Sequence, residues 1–178
     1  METPILKLVV QVESLRGGPV TFNIEADEAE RAALASAYGL LAVRRVTARG
    51  EVDRLGELVT VRGVLEADVD QACVVTLEPV RGDIREDIEV EFAEPGAHVA
   101  ARADDGEPPD PIDGDGIDVG ALVEEHLALG LDPYPRAPGV TVPEEYAPDE
   151  ETSDSPFAAL AGLADASSNG EKPGGRED

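Results

Sequence analysis

The chain has 178 residues, 39 acidic against 14 basic side chains, a formal net charge of -25 and a single cysteine. This length suits one domain with tails, and one cysteine excludes an internal disulfide and favours a reducing compartment. The acidity argues against direct nucleic-acid binding, which needs Lys and Arg to release phosphate counterions, and favours a basic protein partner. The sequence contains no signal peptide and no apolar stretch of about 18 residues, so we expect a cytoplasmic protein without a membrane contact.

Alternation of apolar and polar residues predicts a series of strands, each with one buried face. They are expected over residues 6–13, 20–25, 41–53, 58–71 and 84–92. The segment 73–80 connects the last two of these strands. The connections between the later strands are short, which favours antiparallel pairing. We therefore expect a largely antiparallel sheet, with a curl toward a barrel as one form that it could take. Gly63 interrupts the longest strand, where a bulge or a close backbone approach is expected.

Two helices are predicted, over residues 27–38 and 119–129. Asp27 is a good N-cap for the first helix, with Glu30 placed as in a capping box, and Asp118 is a good N-cap for the second. The second helix has the clearer apolar stripe, which consists of Val119, Leu122, Val123 and Leu127. With the sheet packed against both helices, the predicted fold class is α+β over residues 1–140.

Two acidic stretches are not expected to contribute to the core. Residues 94–116 lose all periodicity and predict a long acidic loop. Residues 141–178 predict a disordered acidic tail, because acids, prolines and serines cannot bury enough apolar surface to order themselves. Within the tail, 155–164 predicts a short amphipathic helix with Phe157 and Leu160 on its apolar face. Such a helix either folds onto a partner or docks on its own sheet.

No pattern of side chains predicts catalysis, a cofactor or a metal. Cys73 has no second cysteine, and neither His98 nor His126 has a helpful spacing, so a zinc site lacks ligands. The run Asp113-Gly114-Asp115-Gly116 lacks the spacing of a calcium loop. The adjacent Glu124-Glu125 do not face each other on a helix, so they are poor candidates for an acid/base pair. We interpret Cys73 as a buried or turn cysteine and His126 as a packed histidine.

Several motifs occur in a recognisable order: Gln71-Ala72-Cys73-Val74-Val75-Thr76-Leu77-Glu78-Pro79-Val80, Ile117-Asp118-Val119-Gly120-Ala121-Leu122-Val123-Glu124-Glu125, and Asp132-Pro133-Tyr134-Pro135-Arg136. In this order and spacing, the chain from about residue 5 to residue 140 resembles the YceD family, whose members are called large ribosomal RNA subunit accumulation proteins. The tail segment Ser155-Pro156-Phe157-Ala158-Ala159-Leu160 is similar to the ending of alphaproteobacterial members. The candidate interaction residues from these motifs are Cys73, Leu77, Glu78, Pro79, Asp118, Glu125, Pro133, Tyr134, Pro135, Arg136, Phe157 and Leu160.

The resemblance implies a non-enzymatic role in accumulation of the large-subunit rRNA, without catalytic residues to carry over. Many members have Cys-x-x-Cys before Leu-Glu-Pro, whereas this chain has Thr76 in place of the second cysteine, so metal or redox chemistry by such a pair cannot operate here. The leading hypothesis is a ribosome-biogenesis factor that supports 23S rRNA processing through a basic protein partner, either a ribosomal protein or an rRNA-processing factor. The alternatives are an acidic adaptor or chaperone for a basic ribosomal protein, and a hydrolase with an unrecognised site.

Overall fold

The computed structural model describes residues 4–94, 108–112 and 114–141. Their strands are β1 (Val9–Gln11), β2 (Val20–Glu25), β3 (Ala42–Leu55), β4 (Leu58–Ala72), β5 (Pro79–Ala93), β6 (Asp110–Pro111) and β7 (Gly116–Asp118). Their helices are α1 (Glu28–Ala37), α2 (Val119–Leu129) and a 3₁₀ helix (Val12–Gly17). None of the helices in these residues is long and apolar enough to cross a membrane.

The larger sheet has five strands in the order β2-β3-β4-β5-β6. All neighbours are antiparallel except β5 and β6, which pair in parallel through Phe92 with Asp110 and Ala93 with Pro111. The predicted class, α+β with a largely antiparallel sheet, is confirmed. The curl into a barrel is wrong: within the described residues β1 pairs with β7 in a separate two-stranded sheet, so it does not join β2 to β6 and the larger sheet stays open.

The first predicted strand is also shorter than expected. Only Val9–Gln11 is extended, and the chain then coils into the 3₁₀ helix, which buries Val12 and Leu15. Because residues three apart lie on one side of a 3₁₀ helix, these two apolar residues reach the core without a strand. The helix ends at Gly18, whose φ of 116° is accessible to glycine.

The long strands β3, β4 and β5 form a meander, and the inward residues of β4 are buried as predicted. At Gly63 the register with β3 continues without a bulge, and the expected close approach is confirmed. Gly63 lies opposite Gly50, and the ring of Phe22 covers both glycines. A Cβ on Gly50 would lie 2.8 Å from Cζ of Phe22 and 2.1 Å from the carbonyl oxygen of Arg62.

Both predicted helices are present, with the predicted caps. The Asp27 side chain accepts a hydrogen bond from the amide of Glu30 at 2.8 Å, and the Glu30 side chain accepts one from the Asp27 amide at 2.8 Å. Asp118 accepts from the amide of Ala121 at 3.0 Å. Helix α1 packs on β3 and α2 packs on β4 and β5, and the whole predicted stripe of α2 is buried.

The N-terminal segment crosses α2 at close range and fixes the helix. The amide of Gly120 donates to the carbonyl oxygen of Leu8 at 3.1 Å, and the amide of Leu6 donates to the Glu124 carboxylate at 2.5 Å. A Cβ on Gly120 would lie 2.0 Å from the carbonyl oxygen of Leu6. This contact therefore explains why a glycine and a glutamate stand four residues apart on α2.

Candidate functional site

The connection between β4 and β5 is a tight turn that begins at Cys73. The amide of Cys73 donates to the carbonyl oxygen of Glu78 at 2.8 Å, and the amide of Leu77 donates to the carbonyl oxygen of Cys73 at 2.9 Å. Leu77 takes a positive φ of 62°, a conformation that is costly for a residue with a branched side chain. The turn is thus held in one shape by its own backbone.

The segment that follows α2 lies along this turn. The amide of Val74 donates to the carbonyl oxygen of Pro135 at 2.9 Å. The side-chain amide of Gln71 donates to the carbonyl oxygen of Asp132 at 2.8 Å, across 61 residues of sequence. The amide of Ala137 donates to the sulfur of Cys73 at 3.4 Å. Two of the motifs singled out from the sequence are therefore joined into one structure.

Cys73 is the buried centre of this junction. Its side chain is a free thiol with no exposed surface. Hydrogen bonds to the sulfur lower the pKa of the Cys73 thiol from 9.0 to about 6, although burial opposes the shift. The largest effect comes from the Thr76 hydroxyl, and smaller effects come from the amides of Ala137, Thr76 and Val75. These donors favour the thiolate, and the sulfur has no exposed surface through which a reagent could reach it. Cys73 therefore holds the turn and the 132–137 segment together. Its interpretation as a buried or turn cysteine fits both features.

The outer surface of the junction is partly apolar. Leu77 is 74% exposed, Tyr134 is 71% exposed and Val74 is 47% exposed. Exposed large apolar side chains at one end of a sheet are typical of an interaction site, and tyrosine is a common anchor in such sites. We call this the turn-end surface; it consists of Val74, Leu77, Glu78, Pro79, Pro133, Tyr134 and Arg136, with Pro135 buried beneath it.

Two further candidate residues, Asp118 and Glu125, lie on α2 and its cap and not on the turn-end surface. Asp118 begins α2 as its cap, and Glu125 is exposed farther along that helix. Phe157 and Leu160, with the rest of the predicted helix 155–164, lie outside the described residues, as does most of the acidic loop. Nδ1 of His126 is buried with no hydrogen-bond partner in the part of the chain that the structure describes. In that same part, no group of three or more His, Cys, Asp or Glu side chains is placed to hold a metal ion.

Four members of the junction were not predicted from the sequence: Val74, Ala137, Gln71 and Thr76. Val74 and Ala137 each contribute only a backbone amide, which leaves no signature in the choice of side chain. Gln71 stood inside a quoted motif, but its partner is a carbonyl oxygen, which every residue has. Thr76 was noted only as a substituted cysteine, and its hydroxyl proves to be the largest influence on the Cys73 sulfur.

Comparison with known proteins gives one result. A family model described as "Large ribosomal RNA subunit accumulation protein YceD" matches residues 61–164, which is more than half of the chain. The matched range contains most of β4, all of β5 and α2, and both segments of the turn-end surface. The comparisons with curated proteins and with solved structures found no match.

Proposed function

We propose that this chain, which belongs to the YceD family of large ribosomal RNA subunit accumulation proteins, is a non-enzymatic ribosome-biogenesis factor of the cytoplasm. It supports the processing and accumulation of 23S rRNA through contact with a basic protein, either a ribosomal protein or an rRNA-processing factor. The family match over residues 61–164 is the observation that carries this proposal.

The charge on the solvent face of the sheet favours a protein partner over direct contact with RNA. Its arginines are largely matched by acids on neighbouring strands, as in Arg45 with Asp68 at 2.9 Å and Arg62 with Glu89 at 3.1 Å. Arg85 is matched in the same way by Glu66. Phosphate binding requires Lys and Arg that can release counterions, and matched arginines are poor at this. The net charge of -25 adds repulsion toward nucleic acid and attraction toward basic proteins.

The turn-end surface is the proposed contact with that partner. It offers exposed apolar anchors, Leu77 and Tyr134, on a backbone that is fixed by hydrogen bonds to the 132–137 segment. A rigid surface loses little conformational entropy when a partner binds, so more of the contact energy contributes to affinity. Leu77 has a positive φ, a backbone conformation in which Asn or Gly would be less strained. The presence of an apolar residue at this strained position supports a role in contact with a partner.

The test is a gene deletion with plasmid rescue, read as the ratio of 23S to 16S rRNA and as the level of 23S precursors. We expect the deletion to lower the ratio and the wild-type plasmid to restore it. The double variant Leu77→Ser/Tyr134→Ser should fail to restore it, while Leu55→Ser should succeed. Leu55 is a matched control because it is 83% exposed at the end of β3, beside a different turn that leads to β4.

Two results would contradict the proposal in different ways. A deletion strain with unchanged 23S rRNA excludes the role in rRNA accumulation. If that strain instead lacks one basic ribosomal protein, the adaptor or chaperone alternative, which the acidic charge also favours, takes its place. Full rescue by the Leu77→Ser/Tyr134→Ser variant would leave the role intact and remove the turn-end surface from it.

A further inference from the structure

A groove of about 250 Å³, lined by both apolar and acidic residues, lies between α2 and the ends of β5 and β6, at the far end of the sheet from the turn-end surface. Its floor includes Phe92, Ile117 and Leu122, of which the last two are buried core residues. Pockets for small molecules and cofactors usually enclose about 300–1,000 Å³. The volume of this groove is below that range and suits a single long side chain.

The rim of the groove is acidic. Asp110, Asp118 and Glu125 are among the residues that line it, and no Lys, Arg or His of the described residues is. Asp118 uses one oxygen to cap α2. No ion pair among the described residues involves Asp110 or Glu125, which are both exposed. The groove therefore combines apolar walls with carboxylates that have no cation of their own.

We propose that this groove binds one arginine side chain presented by a protein partner. The aliphatic stem of arginine packs against Phe92 and Leu122, and its guanidinium donates hydrogen bonds to the carboxylates of Glu125 and Asp110. Arginine suits the site better than lysine because its planar fork of donors can contact two carboxylates at once and is more weakly hydrated. The inference rests on the proposed function in one respect, which is that the partner is a basic protein.

The experiment uses the full chain and three short peptides. Acetyl-Leu-Arg-Leu-amide is titrated into the labelled protein and followed by amide chemical shifts. The same peptide with citrulline, the uncharged isostere of arginine, and the same peptide with lysine are the comparisons. We expect the arginine peptide to shift the amides of Ala121, Leu122 and Glu125 in a saturable way, and the citrulline peptide to bind about tenfold more weakly or less.

Charge-removing variants locate the site. Asp110→Asn/Glu125→Gln should weaken binding of the arginine peptide by about tenfold or more, because both lost carboxylates accept charge-assisted hydrogen bonds. Glu28→Gln, which neutralises an exposed carboxylate on α1, should leave it unchanged. Equal binding of the arginine and citrulline peptides, or unaltered binding by the double variant, would overturn the proposal. Lysine binding as tight as arginine would overturn the assignment to arginine.

The rescue assay separates this inference from the proposed function. If the deletion strain has normal 23S rRNA, the proposed function fails while the peptide titration still decides the groove. If the deletion lowers 23S rRNA and Asp110→Asn/Glu125→Gln restores it fully, the function stands and the groove is not its contact. Failure of the double variant to restore 23S rRNA, together with weakened peptide binding, supports both.

Discussion

Replacing Gly120 by Ala should destabilise the protein, although helix propensity alone predicts the opposite. Within an exposed helix, Ala is more favourable than Gly by about 1 kcal/mol. The added Cβ at Gly120, however, would lie 2.0 Å from the carbonyl oxygen of Leu6 and 2.7 Å from its carbonyl carbon. These are backbone atoms, which cannot rotate away as the end of a side chain can. The N-terminal segment would have to move away from α2.

The size of the effect follows from what that movement breaks. Overpacking of this kind costs about 1–3 kcal/mol. Moving the segment also weakens the hydrogen bonds from Gly120 to Leu8 and from Leu6 to Glu124, and each such bond contributes about 1 kcal/mol. We therefore expect Gly120→Ala to lower the free energy of unfolding by about 2–4 kcal/mol after the gain in helix propensity is subtracted.

Urea unfolding followed by circular dichroism measures this loss, with the denaturant slope as a check on two-state behaviour. Gly17→Ala is the matched control, because a Cβ there meets nothing within 4 Å and the backbone does not have a positive φ. Its free energy of unfolding should stay within about 0.5 kcal/mol of wild type. If Gly120→Ala is as stable as wild type or more so, the N-terminal segment does not cross α2 as described.

Two further predictions concern the β4–β5 turn. The fold lowers the pKa of the Cys73 thiol from 9.0 to about 6, so the folded state favours the thiolate. The thiolate therefore stabilises the folded state fully above pH 9.0, and this stabilisation is lost as the pH falls through about 6. The difference in melting temperature between wild type and Cys73→Ala should thus shrink from pH 9 to pH 6; a constant difference would contradict the thiolate. Leu77→Asn should raise the free energy of unfolding by up to about 1 kcal/mol, because Asn tolerates the positive φ. The same variant should weaken the rescue of 23S rRNA in the deletion strain. The control variant Leu55→Asn should have neither effect.

The parts of the fold that sequence reasoning predicted correctly are those with local signals. Helix α2 was predicted with its observed bounds, because Asp118 caps it, Gly130 ends it and its stripe has helical spacing. The buried face of β4, and Ile84 and Ile88 on the buried face of β5, follow from the alternation of apolar and polar residues. The YceD resemblance, which rested on motif order, is confirmed by the family match.

The parts that were missed depend on contacts between distant backbone groups. Strand β6 has only two residues, and its parallel pairing with β5 follows from no periodicity. The 3₁₀ helix takes the place of the end of the predicted first strand, and it buries Val12 together with Leu15, which lies beyond that strand. In the candidate site, the sequence supplied the two motifs but not their junction, which is made by carbonyl and amide groups of Val74, Pro135 and Ala137.

The positions of the two proposed contacts limit how a partner can engage them. The turn-end surface lies where β5 begins at Pro79 and the groove lies beside Phe92, so they are about 40 Å apart along an extended strand. A single small domain is too short to cover both, so the two proposed contacts require either one extended basic protein or two separate partners. If one partner spans both contacts, its binding should be weakened more by combining the variants at both ends than by the variants at either end alone. Two separate partners should each respond only to the variants at its own end.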